Sequence, residues 1–179
     1  MGYRKTLNQY ADYGTKVHKA IELFLKNQTI TFKVPDNPFN AFTYWWETIN
    51  ENNEVTILGQ EHKMACKYYG GTYDLLLKIG NDTILVDFKT SNHVGYKYWL
   101  QLAAYTKILK EEENVNVDGL IILQLDKNRP KYTEYYLNLH NEAQRNYFAI
   151  CERTFMSLLY GFYHINYLER EFDNVTTKN

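Results

Sequence analysis

The chain predicts an α/β (α+β) fold, with a central mixed β-sheet of about five strands flanked by helices. Three observations carry this expectation. Apolar residues recur at helical spacing near the start, the middle and the end of the sequence. Short apolar or alternating runs bounded by turn residues lie between those segments. The resulting order is helices, three strands, helix, two strands, helix, a mixed succession that two packed layers around one sheet accommodate.

The stretch YGTKVHKAIELFLKN places Val17, Ile21, Phe24 and Leu25 at i, i+4, i+7 and i+8, an amphipathic helix ending near Asn27. TITFKVPDNPF reads as a short extended piece broken by Pro35 and Pro38, and NAFTYWWETINEN as a second helix. From Glu54 to Ser91 the sequence alternates and turns as three antiparallel strands. A helix follows from Tyr98 to Lys110, and its acidic tail leads into the strand GLIILQLD. DKNRP is a turn, KYTEYYLNL another strand, and residues 141–168 a long final helix.

With 179 residues the chain suits one domain, divided into a helical part (1–55), a hairpin with its following helix (55–110), and the remaining strands and last helix (118–170). A hydrophobic fraction of 45% and 17 Tyr point to a folded protein rather than a disordered one. The formal net charge is -1, so binding to a polyanion needs a local basic groove, not global attraction. Cys66 and Cys151 stand far apart and form no C-x-x-C motif. That argues against a disulfide scaffold, a zinc ribbon or an iron–sulfur cluster, and for a reducing, cytoplasmic setting. His62 and Cys66 lack a second pair of zinc ligands, and His93, His140 and His164 have no motif company. No signal peptide or membrane span is expected; Met1, Gly2 and Thr6 match the loose myristoylation pattern, unsupported by any other membrane feature.

The hairpin between YDLLLKI and DTILVDFKT carries Gly80-Asn81, a pair suited to a two-residue turn. If Ile79 faces Asp82, then Leu76 faces Leu85 and Asp74 faces Asp87. Like charges directly opposed across strands are destabilising, so this pair implies a cation or a shared proton. Leu75, Leu77, Ile79, Ile84, Val86 and Phe88 share the other, apolar face, while Lys89 joins the carboxylate face.

Four short motifs occur in order: Gly14 and His18 as G-x-x-x-H, Gly71 and Asp74 as G-x-x-D, Asp87 and Lys89 as D-x-K, Gln101 and Tyr105 as Q-x-x-x-Y. Over Tyr13 to Lys107 this succession resembles the PD-(D/E)xK nuclease superfamily, and within it the RecB-like exonuclease branch. The resemblance implies a restriction-endonuclease-like core and a single metal-dependent nuclease domain over residues 1–179. It implies hydrolysis of DNA phosphodiester bonds, with action on single-stranded or free ends; the small size suggests a stand-alone enzyme of phage or mobile-element origin used in recombination, replication or DNA degradation, alongside proteins of those processes. His18, Asp74, Asp87 and the main-chain carbonyl of Phe88 are the implied metal ligands. Oxygen donors suit Mg²⁺ or Mn²⁺, and an imidazole shifts preference toward Mn²⁺. Lys89 is expected to stabilise charge on the phosphoryl group, and Glu61 to orient water or a second metal. Gln101 and Tyr105 are expected to contact the nucleic-acid strand, with Lys63 and Lys97 gripping phosphates. The four cysteines of the iron–sulfur relatives are absent. A structure-selective endonuclease or RNase would use the same residues, and a non-catalytic nucleic-acid-binding or assembly protein would retain them as a relic.

Overall fold

The computed structural model describes residues 2–176, with side chains described for residues 12–172 and 176. The elements are α1 (Gly2–Leu25), α2 (Asp36–Asn52), β1 (Val55–Ala65), β2 (Gly70–Ile79), β3 (Asp82–Lys89), α3 (Tyr96–Glu112), β4 (Gly119–Leu125), β5 (Tyr132–Asn138) and α4 (Glu142–Thr176). Element type and order follow the sequence expectation throughout, and the helix ends differ. α1 begins at Gly2 rather than near Tyr13, because no proline interrupts the preceding residues. α2 begins at Asp36, with Pro38 in its first turn, where a missing N–H leaves no bond unmade. The myristoylation pattern falls on Met1, outside the described residues, and on Gly2 and Thr6, whose side chains are not described. No helix among the described residues is long and apolar enough to cross a membrane.

The five strands form one sheet in the order β1-β2-β3-β4-β5. Three pairings are antiparallel and β3–β4 is parallel, which makes the sheet mixed. A parallel neighbour needs a crossover, and α3 supplies it. The β2–β3 hairpin has the register expected from Gly80-Asn81: Ile79 pairs with Asp82, Leu76 with Leu85, Leu75 with Val86. Gly80 takes φ 58°, the conformation a tight hairpin turn requires of its first residue.

Leu75, Leu77, Ile84, Val86 and Phe88 pack against Val17 and Ile21 of α1 and Phe42 and Trp45 of α2. Trp45 keeps its indole satisfied by donating Nε1–H to Glu134, 2.7 Å away. The opposite face corrects an expectation. The alternation assigns it chemistry rather than dry packing, yet Leu76, Leu85, Leu120 and Ile122 form a second core with Leu102, Ile108 and Leu109 of α3 and Phe148 of α4. Since the crossover helix must return over the sheet, it buries that face as well. Polar chemistry gathers where the regular β2–β3 pairing ends.

Candidate metal centre and lysine

Extending the β2–β3 register one residue beyond Leu75 and Val86 sets Asp74 opposite Asp87, but the regular pairing stops before that position. Asp74 instead turns its carboxylate into a main-chain acceptor: the Phe88 N–H donates to Asp74 Oδ2 at 2.7 Å. The Asp74 carboxylate thus stands in for a main-chain partner of Phe88 at the point where the regular pairing ends. The β1–β2 pairing contains a register shift between Ile57 and Gly59, after which Gln60 pairs with Leu75 and His62 with Tyr73. Continued by one residue, that register puts Glu61 opposite Asp74. Glu61, Asp74 and Asp87 therefore form a row across three neighbouring strands.

Glu61 holds φ at 46°, in the left-handed region that non-glycine residues avoid. Such strain costs on the order of 1–3 kcal/mol and persists where the surroundings fix the residue, commonly at functional sites. The bulge just upstream turns the strand, and the strained backbone aims the Glu61 carboxylate at its neighbours. Burial, reinforced by the Asp74 charge, pushes the Glu61 carboxyl upward in pKa.

His18 reaches this row from α1. Its Nε2–H donates to the Phe88 carbonyl at 3.1 Å, while Nδ1 lies 3.2 Å from Asp74 Oδ1 and 3.9 Å from Glu61 Oε1. Both ring nitrogens thus face oxygen acceptors. A neutral imidazole donates only once, so a second proton or a cation must lie between Nδ1 and the carboxylates. Burial pulls the His18 pKa down, but the hydrogen bond to Asp74 and the charges of Asp74, Glu61 and Asp87 outweigh it, and the net displacement is upward.

Asp87 is 3% exposed. Lys89 Nζ lies 2.8 Å from its Oδ1, as a hydrogen bond, and 2.7 Å from its Oδ2, as an ion pair. Among the described residues the buried Oδ2 accepts no well-directed hydrogen bond. Burial and then the Asp74 charge push the Asp87 carboxyl well above the usual carboxylate range, against the pull of Lys89.

The Lys89 ammonium is fixed from a third direction by α3. It donates to Gln101 Oε1 at 3.2 Å and sits 4.7 Å from the centre of the Tyr98 ring. Gln101 Nε2–H in turn donates to the Tyr105 hydroxyl at 2.9 Å. Gly71 explains itself here: a Cβ on it would overlap the Tyr105 ring, 3.0 Å from both Cζ and the hydroxyl oxygen. Gly71→Ala should consequently cost about 1–3 kcal/mol by overpacking and push Tyr105 off Gln101. Thermal melting of Gly71→Ala against Gly71→Ala/Tyr105→Ala checks this, with the double variant expected to regain stability relative to the single one. Gly14 has no such reason, since its Cβ would make only ordinary contact with Thr90 Oγ1 at 3.5 Å.

His18, Glu61 and Asp74 each offer a ligand atom, all within 4.8 Å of one another. The donor set fits Mg²⁺ or Mn²⁺: carboxylate oxygens with one imidazole, and two ring nitrogens that together demand a positive charge. Glu61 converges with His18 and Asp74, Asp87 is held by Lys89 beside them, and the Phe88 carbonyl engages the imidazole, orienting it in the way that outer partners orient metal-binding histidines.

Lys63 follows Glu61 by two residues on β1 and is exposed; Lys97 lies one turn ahead of Gln101 on α3 and is also exposed. Among the described residues, neither has a hydrogen bond or ion pair with the central cluster. His62 pairs with Glu113 at 2.9 Å rather than with Cys66. His140 lies 3.1 Å from Asp82, and His93 and His164 are exposed. Sequence reasoning missed a basic groove next to Lys89. Gln124, the β4 neighbour of Lys89, donates to the Ser91 carbonyl at 2.7 Å, and Ser91, Gln124, Lys127, Arg129 and Lys131 line the groove together with Asp126, which pairs with Arg129 at 3.4 Å. Its signal was the cluster of bases in DKNRPK, whose position depended on a strand order that the sequence leaves open.

No protein-family profile matches the sequence, and no curated protein matches it. Among solved structures, the chain resembles an alkaline exonuclease (LHK-Exo) from Laribacter hongkongensis at 14% identity and a TM-score of 0.37, over 91% of this chain and 86% of that one. It also resembles SSO0001 at 16% identity and a TM-score of 0.35, over 70% of this chain. The chain spans 56% of the length of SSO0001. Both scores are too low to carry a fold or an activity from either protein to this chain.

Proposed function

We propose that this chain is a metal-dependent deoxyribonuclease of the PD-(D/E)xK kind, acting on single-stranded DNA ends as RecB-like exonucleases do. The observation that carries the reading is the carboxylate row at the end of the β2–β3 pairing, flanked by a half-buried histidine and a lysine anchored on three sides. The preference for ends and for DNA rests on the motif resemblance.

His18, Glu61 and Asp74 hold the cation, with Asp87 next in the row. A bound Mg²⁺ or Mn²⁺ supplies Lewis acidity toward a phosphoryl oxygen and makes a bound water more acidic. The Phe88 carbonyl fixes the tautomer of His18, so that Nδ1 is the nitrogen presented to the carboxylates. Asp87 and Gln101 hold the Lys89 ammonium where charge grows on the non-bridging oxygens during phosphodiester cleavage. Gln101 and Tyr105 place the strand beside it. The groove of Lys127, Arg129 and Lys131 takes neighbouring backbone phosphates, and Lys63 and Lys97 take phosphates farther out.

The test uses end-labelled linear single-stranded DNA, circular single-stranded DNA and RNA, each with Mn²⁺, Mg²⁺ or chelator. Metal-dependent shortening of linear DNA, with circles intact, is the expected result. Efficient cutting of circles would replace the exonuclease by an endonuclease. No cleavage of any substrate, in a protein that still binds Mn²⁺ by calorimetry, would leave a binding protein with a relic site.

A further inference from the structure

The last helix carries an apolar seam that the fold uses only in part. Phe148, Cys151, Phe155, Leu158, Phe162, Ile165, Glu169 and Phe172 follow one another at alternating steps of three and four, the spacing of a coiled-coil core. The first members are covered by the protein's own body: Phe148 and Cys151 lie in the core under α3, and Phe155 meets Tyr69 edge to face. Tyr163 makes one more tether, donating its hydroxyl to the Tyr68 carbonyl. The seam itself emerges into solvent at Leu158 (60% exposed), Phe162 (60%), Ile165 (58%) and Phe172 (64%), with Leu168 (65%) beside it.

We propose that this exposed half of the seam is the interface of an antiparallel homodimer in which two copies of α4 cross at Ile165. Three features select a second copy as the occupant. The seam continues without a break from a stretch already packed against a helix, so its spacing is suited to another helix. Five side chains giving up on the order of 100 Å² each would bury ~500 Å² per protomer and ~1,000 Å² per pair, the lower bound for specific association. Thirdly, the sequence is self-complementary about Ile165, as a two-fold axis requires. Leu158 falls opposite the partner's Phe172, Phe162 opposite the partner's Leu168, and Ile165 opposite itself.

The same register gives a place to the one charged seam residue. Glu169 falls opposite the partner's Gly161, where the missing side chain leaves room for the glutamate stem to reach solvent. A glycine inside a helix is unfavourable, and a Cβ at Gly161 would meet nothing within 4 Å, so packing within one chain does not ask for it. A parallel arrangement would set Glu169 against its own copy in the seam, a like-charge contact that the antiparallel one avoids. A membrane surface is a poorer occupant, because Glu169, Arg170 and Glu171 give the helix no basic surplus there.

The proposal is tested by sedimentation equilibrium on the full chain, with circular dichroism as the folding control. Wild-type protein is expected to run as a dimer with Kd below about 10 µM, and Phe162→Glu/Ile165→Glu as a monomer with the same helical content. A second measurement survives any folding defect of that variant. In a Cys66→Ser background, Ile165→Cys should be joined into dimers by a short bismaleimide, while Tyr160→Cys, exposed on the other side of α4, should not. A wild-type monomer at about 100 µM, a dimer that persists in the glutamate variant, or equal cross-linking at both positions would overturn the proposal.

Discussion

Lys89→Met is expected to lower DNA cleavage by a factor of about 10³ while Mn²⁺ binding stays measurable by calorimetry. On the proposed reading the lysine contributes its charge to the reacting phosphoryl group, and it lies outside the His18, Glu61 and Asp74 set proposed to hold the cation. Methionine keeps the length of the stem and removes the ammonium. The substitution also strips Asp87 of its ion-pair partner, and breaking a buried pair from one side costs about 3–5 kcal/mol when the remaining group stays charged. Here the sign of the pH dependence follows from the raised pKa of Asp87. A carboxyl whose folded-state pKa exceeds its unfolded value favours the folded chain in acid, and this contribution is lost as pH rises through the folded-state value. The variant should therefore melt closest to wild type near about pH 5 and farthest from it near about pH 8. Cleavage at wild-type rates, or calorimetry showing that Mn²⁺ binding vanishes along with activity, would remove Lys89 from the role assigned to it.

Asp74 is predicted to separate metal binding from architecture. It faces His18 through Oδ1 and accepts the Phe88 N–H through Oδ2. Asp74→Ala removes both functions: Mn²⁺ binding is expected to fall below detection, cleavage to drop by about 10³ or more, and stability by about 1–3 kcal/mol for the stranded N–H. Asp74→Asn keeps an oxygen acceptor for Phe88 and lacks the charge. Its urea midpoint should stay near wild type while metal binding is lost as in the alanine variant. If the two variants unfold at the same urea concentration, the hydrogen bond to Phe88 contributes little, and the parting of β2 from β3 needs another cause.

Most of the site's central hairpin could be read from sequence because it is local. Gly80-Asn81 fixes the register over a few residues on either side, and alternation then assigns Leu75, Leu77, Val86 and Phe88 to one face. The Q-x-x-x-Y pair was equally legible, since residues four apart on a helix are neighbours in any fold. What escaped depended on contacts between distant segments. The burial of Leu76 and Leu85 comes from the α3 crossover, which follows from a parallel β3–β4 pairing that neither strand's composition reveals. Glu61 stood out only as an acidic residue one strand away, because its alignment with Asp74 depends on a register shift near Leu58 and on its own left-handed backbone. Likewise, the bases of DKNRPK looked like an ordinary turn until Gln124 was found beside Lys89.

The crossover by α3 has one more consequence, and it concerns timing. A ribosome delivers the chain from its amino end, so His18 and all three carboxylates emerge before β4. Until β4 pairs with β3 and α3 settles on the sheet, Gln101 and Tyr98 have no fixed relation to Lys89. A half-made chain therefore carries the acidic residues without the lysine cradle. On the proposed reading, the newborn chain lacks a positioned lysine until its second core has closed.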